Sequence, residues 1–518
     1  MKKRIIWLSL ALAMGQASHA FAQGASDALQ YSRLQFGGPA RTLGIGGANV
    51  ALGADFGNLS SNPAGLGLFQ KSEIHLTPGI GLGQGDARLE DNTAASQNEA
   101  KNSFHIASGG LVLTTRRPDS DQSTNWRGGA FALGFTRLAD FNSASRYQGT
   151  LNNNQSYLSS FQPAARSVTD FTDLDRQVDE NDYTSGLGLA YGAYLANIVV
   201  NRSNVDSAVV LRRQGSTINQ GEVITNSGSV SQFDLGYGAS YRDRLYIGGG
   251  IGIVSSNYKQ IRTLTEADND PNTYFNSLVS RTELETKGTG FNARLGVIYR
   301  VVDNLRLGAS VQTPTFIRLT DTFSERLTSD FSVQGTDPIP DDLPIGQTTV
   351  SRPANDYAYT LTTPFRANGG VAYTIGKYGF VTGDVEYVGY GQARLRNDSD
   401  NANGDDYSFS AENNDIQARY KSTINLRFGA EGRFDVFRVR LGYARYGDPY
   451  KANTNIDRVQ NFYTAGAGLR QGNFFIDAAA VYTTVNQLYT PYDSNGLEPL
   501  VKVNNNRYTT SITAGITF

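Results

Sequence analysis

The last twelve residues of the chain, RYTTSITAGITF, alternate in polarity. Tyr508, Thr510, Ile512, Ala514, Ile516 and Phe518 form a mainly apolar set, while Thr509, Ser511, Thr513, Gly515 and Thr517 are small or polar. A period of two with one apolar face predicts a β-strand lying between two environments. The parity recurs upstream. In VFRVRLGYARY, Phe437, Val439, Leu441 and Tyr443 oppose Arg438, Arg440, Gly442 and Ala444. In TINLRFGAEGRF, Ile424, Leu426 and Phe428 oppose Asn425, Arg427 and Glu431, and in NFFIDAAAVYTT, Asp477 opposes Phe474, Ile476, Ala478, Ala480 and Tyr482. A charged Arg or Lys facing lipid near mid-bilayer costs roughly 2–4 kcal/mol. If these strands cross a membrane, the charged set must face inward. Arg427, Glu431, Arg438, Arg440 and Asp477 are therefore candidate lumen-lining residues.

About fourteen such segments can be counted, at 71–81, 102–114, 127–139, 229–241, 244–257, 286–300, 304–320, 358–376, 378–393, 419–433, 436–446, 459–470, 473–486 and 507–518. Tight turn-like links (YRDRL, YRVVDNL, TIGKYG, GRFDVF, LRQGNF) alternate with long polar stretches at 258–285, 321–357 and 394–418. Short turns at one end and long loops at the other predict an all-β fold, a transmembrane antiparallel β-barrel of about 14 strands. An even strand number puts both chain ends on the periplasmic side. The longest connection, about 140–228, is expected to be partly helical at the extracellular mouth, with room for an extra hairpin.

Composition narrows the picture. Mean hydropathy is −0.36, a value typical of soluble chains, but lipid-facing and lumen-facing residues average out to the same value in a barrel. The 28 Tyr and 26 Phe suit pleated surfaces and interfacial girdles, and the 56 Gly suit close backbone approach. With no cysteine there is neither a disulfide framework nor thiol chemistry, and a net charge of −2 gives no basic surface for nucleic acid. Enzyme chemistry has little to stand on. His75 and His105 sit in no metal-ligand spacing, GxSxG is absent, and LGIGGAN lacks the last glycine of a nucleotide loop. The Asp/Asn-rich stretches NDSDNANGDDYSF and TEADNDPNT lack EF-hand spacing and read as solvated loops. No catalytic residue, metal or cofactor is expected.

The chain begins MKKRIIWLSLALAMGQASHAFA: a basic start, an apolar run from Ile5 to about Met14, and Ala20-Phe21-Ala22 as an A-x-A cleavage pattern. The run is well short of the ~20 residues of a spanning helix. Residues 1–22 are expected to be a secretory signal peptide.

Between this signal and the first alternating segment lies DFGNLSSNPAGLGLF. The longer stretch LGIGGANVALGADFGNLSSNPAGLGLF resembles the N-terminal region of FadL-type outer-membrane transporters, which carry an Asn-Pro-Ala motif matched here by Asn62, Pro63 and Ala64. Further echoes, in the family's order, are GFNARLGVIYRVVDNLRLGASVQTPTF, TPFRANGGVAYTIG, RVRLGYARYGDPY and YTAGAGLRQGNFFIDAAAVY. The chain's length and long polar loops bring it closer to forms in Bacteroidetes-like bacteria. The resemblance implies passive outer-membrane uptake of hydrophobic compounds, most of all long-chain fatty acids, through a fourteen-stranded barrel. It implies residues 23–70 as a hatch plugging the lumen and 71–518 as the barrel with long extracellular loops. Physical reasoning agrees with a plug, since a barrel wider than roughly eight to ten strands leaves a lumen, and a plug must turn sharply with its backbone satisfied. The family also places a side opening at a kink in the third strand, here RGGAFALGFTRLAD, where Gly128, Gly129 and Gly134 are candidate bend residues. The C-terminal Phe518 resembles the signal read by the barrel assembly machinery of Gram-negative bacteria. The expected partners are a hydrophobic small molecule, outer-membrane lipid and that machinery, with no nucleic acid and a monomeric state. Two alternatives stand beside uptake: a shuttle barrel of type IX secretion, and a nonselective porin.

Overall fold

The computed structural model describes residues 24–518 except 91–94, 119, 122, 152–154, 169–170, 201–206, 212–217, 269, 271, 334–338, 340–342, 399–406, 452–455 and 494–498. The expected signal peptide lies outside the described residues. In chain order the strands are β1 (Glu73–Leu89), β2 (Gln97–Arg116), β3 (Trp126–Asp140), β4 (Ser143–Thr150), β5 (Ala196–Val200), β6 (Ser207–Leu211), β7 (Ile218–Tyr241), β8 (Leu245–Asp268), β9 (Phe275–Val302) and β10 (Leu305–Gln312). They continue with β11 (Phe316–Phe331), β12 (Gly346–Thr362), β13 (Arg366–Thr374), β14 (Gly379–Gly389), β15 (Arg394–Asn397), β16 (Ser422–Phe434), β17 (Phe437–Tyr446), β18 (Gln460–Gln471), β19 (Phe474–Tyr489) and β20 (Val501–Thr517).

All of these except the β5–β6 hairpin belong to one antiparallel sheet, and β20 pairs with β1 to close it. Four wall strands are interrupted. β3 and β4 both pair with β7; β10 and β11 both pair with β9; β13 and β12 continue this pattern against β10 and β11; β14 and β15 continue it against β13 and β12. Counted as continuous ribbons, the wall is a closed barrel of fourteen strands. The β20–β1 pairing joins the two ends of the sheet, as a sheet in lipid requires.

Parity sets the two faces as the sequence predicts. In β20, Ser511 and Thr513 are buried while Tyr508, Ile512 and Ile516 are exposed. On β9 the outward residues from Phe291 to Val301, including Leu295, Val297 and Tyr299, are exposed and apolar. Those eleven positions match the roughly 9–11 residues a tilted strand needs to cross a bilayer. Aromatic rings rim this band. At the short-turn end stand Phe434, Phe437, Phe474 and Phe518; at the other, Tyr443, Tyr463, Tyr482 and Tyr508 form a row with centroids 5.4, 6.3 and 4.4 Å apart. The Phe518 backbone pairs with Ser72 in both directions at 3.0 Å, so chain end and first strand meet beside the short turns.

The structure corrects the loop assignments. The polar stretches 258–285 and 321–357 are mostly strand: β8 runs to Asp268, β9 starts at Phe275, β11 reaches Phe331 and β12 starts at Gly346. These ribbons stand above the membrane, where the outward face meets water. Lys287, Glu285 and Arg281 there replace the apolar set, so the alternation that marks a membrane strand vanishes while the hydrogen-bond ladder continues. The 140–228 connection likewise holds β4, helices and the β5–β6 hairpin, and β7 starts at Ile218 rather than 229. Among the described residues no helix is long and apolar enough to cross a membrane.

The boundary above Phe291 is testable on one strand. Leu295→Arg should weaken folding into lipid vesicles by about 2–4 kcal/mol, whereas Thr289→Arg, on the same face nearer the rim, should cost ~0–1 kcal/mol. Urea titration of the reconstituted protein compares them, and equal penalties would move the boundary.

Candidate functional site

Residues 25–69 fill the lower lumen. They form a helix at Ala25–Ser32, short helices at Ala40–Gly44 and Asn58–Ser61, and a 3-10 turn at Pro63–Leu68. Glycine and polar residues keep the helices short, so many peptide groups need partners from side chains. Asn62 supplies three. Its Nδ2 donates to the Val50 carbonyl at 2.7 Å and to the Val297 carbonyl of β9 at 3.2 Å, and its Oδ1 accepts the Ala64 N–H at 3.2 Å. Pro63 opens the 3-10 turn, where a missing N–H costs nothing. The Asn-Pro-Ala segment thus ties a hatch loop, the turn and the wall at one fully buried side chain.

The wall under this segment is glycine. A Cβ on Gly296 would overlap Asn62 Oδ1, on Gly248 the Pro63 carbonyl, on Gly308 the Val50 carbonyl, and on Gly442 the Ile45 carbonyl carbon. Gly110 and Gly134 receive the Phe56 ring in the same way. The hatch answers with its own glycines: Gly46 and Gly47 are both left-handed (φ +65° and +73°), and a Cβ on Gly47 would overlap Phe36. His75 and His105 both face inward. His75 stacks edge-on to Phe56 at 4.6 Å and sits 3.2 Å from Ser108 Oγ; His105 lines the cavity described below.

Most candidate lumen residues meet in one buried network. Arg440 bonds Glu431 at 2.8 Å and Asp477 at 2.7 Å. From the hatch, Arg41 reaches Glu431 at 3.5 Å and Asp55 at 3.4 Å, and also donates to the Ala54 carbonyl. Arg427 lies apart, paired with Glu386 at 2.7 Å beside Arg366. Arg438 does not join. It has inward parity but sits at the lower turn, where it donates to the Asp435 and Phe437 carbonyls. Parity gives the face of a residue but not its depth.

Above the hatch lies a cavity of about 1570 Å³, larger than the roughly 300–1,000 Å³ of ordinary small-molecule pockets. Leu29 and Phe36 of the hatch, with Leu138, Phe141, Tyr258 and Leu284 of the wall, give it apolar surface. A cap formed by residues 157–168 and 171–195 closes over it. Tyr157 donates its N–H to Glu266 at 2.7 Å and its hydroxyl to Glu325 at 3.0 Å, and Ser329 donates to the Ala193 carbonyl at 2.6 Å. Most lining charges are paired: Arg262 with Glu222, Arg352 with Glu325, Arg507 with Asp140. Two are not. Arg33, at the end of the first helix, donates to the Arg458 carbonyl at 3.0 Å, and Arg458 lies 4.2 Å over the Tyr450 ring. Both line the cavity, Arg458 is 9% exposed, and among the described residues no carboxylate pairs with either. Their chemistry is invisible in sequence because pairing partners lie on distant strands.

The third strand breaks beside this cavity, at Phe141–Asn142 rather than at the expected glycines. Gly129 and Gly134 sit in continuous register with β2 and β7, and Gly128 sits at a register shift at the lower end. The break is made by other groups. Asp140 Oδ1 caps the Asn142 N–H at 2.8 Å, and Gly228 of β7, at φ +116°, bulges to accept the Phe141 N–H at 3.1 Å. β2 pairs with β3 only from Ser108 to Arg116, and β4 pairs only with β7. Among the described residues, 97–107 of β2 therefore have a wall partner on one side alone, β1. β4 instead turns inward behind β1, where a Cβ on Gly85 would overlap the Ala144 carbonyl. The hatch touches the same place: Gln35 donates its N–H to the Leu138 carbonyl at 2.7 Å.

The glycine seat makes a sharp prediction. Gly296→Ala should dislodge Asn62 at about 1–3 kcal/mol, the usual cost of overpacking, and leave the closed wall intact. Heat-modifiable migration on gels should persist while a large hydrophilic antibiotic leaks in; unchanged leakage would refute the role of this contact.

No protein-family model and no curated protein matches the chain. Solved structures do match. The Pseudomonas putida toluene transporter TodX is similar over 93% of this chain and 99% of its own, at 12% identity and a TM-score of 0.52. A Pseudomonas aeruginosa FadL homologue is similar over 93% and 98%, at 12% identity and a TM-score of 0.50. At such identity the likeness is one of fold.

Proposed function

We propose that this protein carries hydrophobic compounds passively across the outer membrane, long-chain fatty acids foremost, with both chain ends periplasmic. The observation that carries the reading is the capped cavity above the hatch, apolar along Leu29, Phe36, Phe141 and Leu284 yet holding the two unpaired guanidiniums of Arg33 and Arg458. An apolar body with one anionic end satisfies both features, and a neutral hydrocarbon would leave the two guanidiniums without a counter-charge. The substrate enters past the cap, rests in the cavity, and leaves either beside the broken third strand or past a shifted hatch. The similar barrel TodX is a toluene transporter, so hydrophobic cargo is common to both readings, while the anionic end rests on Arg33 and Arg458 of this chain. No covalent step is required of the protein.

Two measurements test the reading. In calorimetry or native mass spectrometry, a sixteen-carbon carboxylate should bind more tightly than the alcohol of equal length, and Arg33→Gln with Arg458→Gln should erase roughly tenfold or more of that preference, the worth of a charge-assisted hydrogen bond. Equal affinity for acid and alcohol in the wild type would refute the fatty-acid assignment. Asn62→Ala with Pro63→Ala should keep the heat-modifiable barrel and lower uptake of a fluorescent fatty acid; uptake that holds or rises while polar solutes leak would make the hatch a plug alone.

A further inference from the structure

The break in the third strand leaves a gap in the wall, and one side chain spans it. Arg507 lies on β20, with β1 and β2 between it and the break in the third strand. Its guanidinium crosses the inner face of β1 because β1 carries glycine there: Gly83 is its register partner, and a Cβ on Gly81 would overlap its Nη2. On the far side it makes three contacts. Nη1 donates to the Asn142 carbonyl at 2.6 Å; Nη2 donates to Ser103 Oγ at 2.6 Å and to Asp140 Oδ2 at 2.8 Å. Asn142 and Asp140 are the two sides of the strand break, and Ser103 belongs to the stretch of β2 that has no second wall partner. One cation therefore joins the two lips of the gap that backbone pairing leaves unjoined.

We propose that Arg507 is the latch of a lateral window in the barrel wall. Its level supports this. The neighbouring Tyr508 faces outward in the upper tyrosine row, and Phe104 beside Ser103 is exposed to lipid. The window thus lies at the upper rim of the apolar band, with the cavity directly behind it through His105, Ala107 and Asn142. A charge-assisted contact to a carboxylate, a hydroxyl and a carbonyl is strong where water is scarce, and it is lost as a unit when the guanidinium moves. Arg137 adds a second cation on Asp140 at 3.2 Å and keeps that carboxylate turned toward the gap. In the proposed transport this makes Arg507 a positioning residue: its polar contacts go to the two lips of the wall, and it sets how often the cavity opens to lipid.

The inference rests on the transport reading only for its rate consequence, so the test reads window and flux separately. The chain has no cysteine, so spin labels go on Asn102→Cys in β2 and Gln148→Cys in β4, both exposed and outside the latch. Arg507→Met removes the contacts. Gly81→Ala keeps the arginine and displaces it, so a folding defect special to one variant cannot mimic the result. Both should lengthen or broaden the label distance in nanodiscs, with a roughly tenfold larger open population, the change expected when one charge-assisted bond of a closed state is lost. Arg507→Lys, which keeps the charge but not the fork, should fall between. Release of a fluorescent fatty acid from proteoliposomes should quicken by a similar factor. A label distance unchanged in both variants would overturn the latch. A widened window with unchanged flux would uphold the latch and overturn the exit route in the transport reading.

Discussion

Much of this structure depends on one contact: hatch backbone laid directly on wall backbone. A fourteen-stranded barrel encloses more space than its own side chains fill, and a plug in that space must satisfy its peptide groups without bulk water. Here the plug does so by lying against the wall itself. Gly248, Gly296, Gly308 and Gly442 remove the wall's side chains where Ile45, Val50, Asn62 and Pro63 come in. Asn62 then supplies the directional bonds, reaching a hatch carbonyl and a wall carbonyl with one amide. Fixing the hatch this low leaves space in the upper lumen, and the cavity is that space, roofed by the cap at 157–168 and 171–195.

Charge follows from the same geometry. Inward-facing strand positions must carry polar residues that meet the hatch, and buried charges are tolerable only when paired. Glu431 takes cations from both sides, Arg440 of the wall and Arg41 of the hatch, so the ion network crosses the hatch–wall boundary. Such pairs are weak evidence for stability, since desolvation offsets their attraction, but they fix register. Against this background of paired charges, Arg33 and Arg458 stand out. Of the cations lining the cavity, they are the two with no carboxylate partner among the described residues, and they face the space where a ligand would lie.

The third strand shows how a closed sheet can be locally open. β7 keeps both β3 and β4, so the barrel stays continuous on that side. On the other side β2 loses its partner above Ser108, and a side-chain contact from two strands away takes over. Backbone ladders are cooperative and hard to undo, whereas a single guanidinium can let go. The hatch residue Gln35 hydrogen-bonds β3 just below the break, so plug and gap share a strand.

Sequence alone determined whatever follows from a two-residue period and from cost in lipid. It placed Ile424, Leu441 and Ile512 outward and Arg427, Glu431, Arg440 and Asp477 inward, counted about fourteen wall strands, and located the tight turns, because each is a local or one-strand property. It also marked Asn62-Pro63 as a sharp turn ahead of β1. It lost the strands above the membrane, since water on the outer face erases the alternation that lipid imposes. It put Arg438 in the lumen because parity carries no depth. It looked for the third-strand bend among that strand's own glycines, although the bulge belongs to Gly228 on the neighbouring strand. Only the tertiary structure decided which inward glycines are seats, which arginines lack partners, and that Arg507 reaches past β1. Those facts concern residues hundreds of positions apart, as in the 367 that separate Arg507 from Asp140, and no local pattern in a chain encodes a distance of that kind.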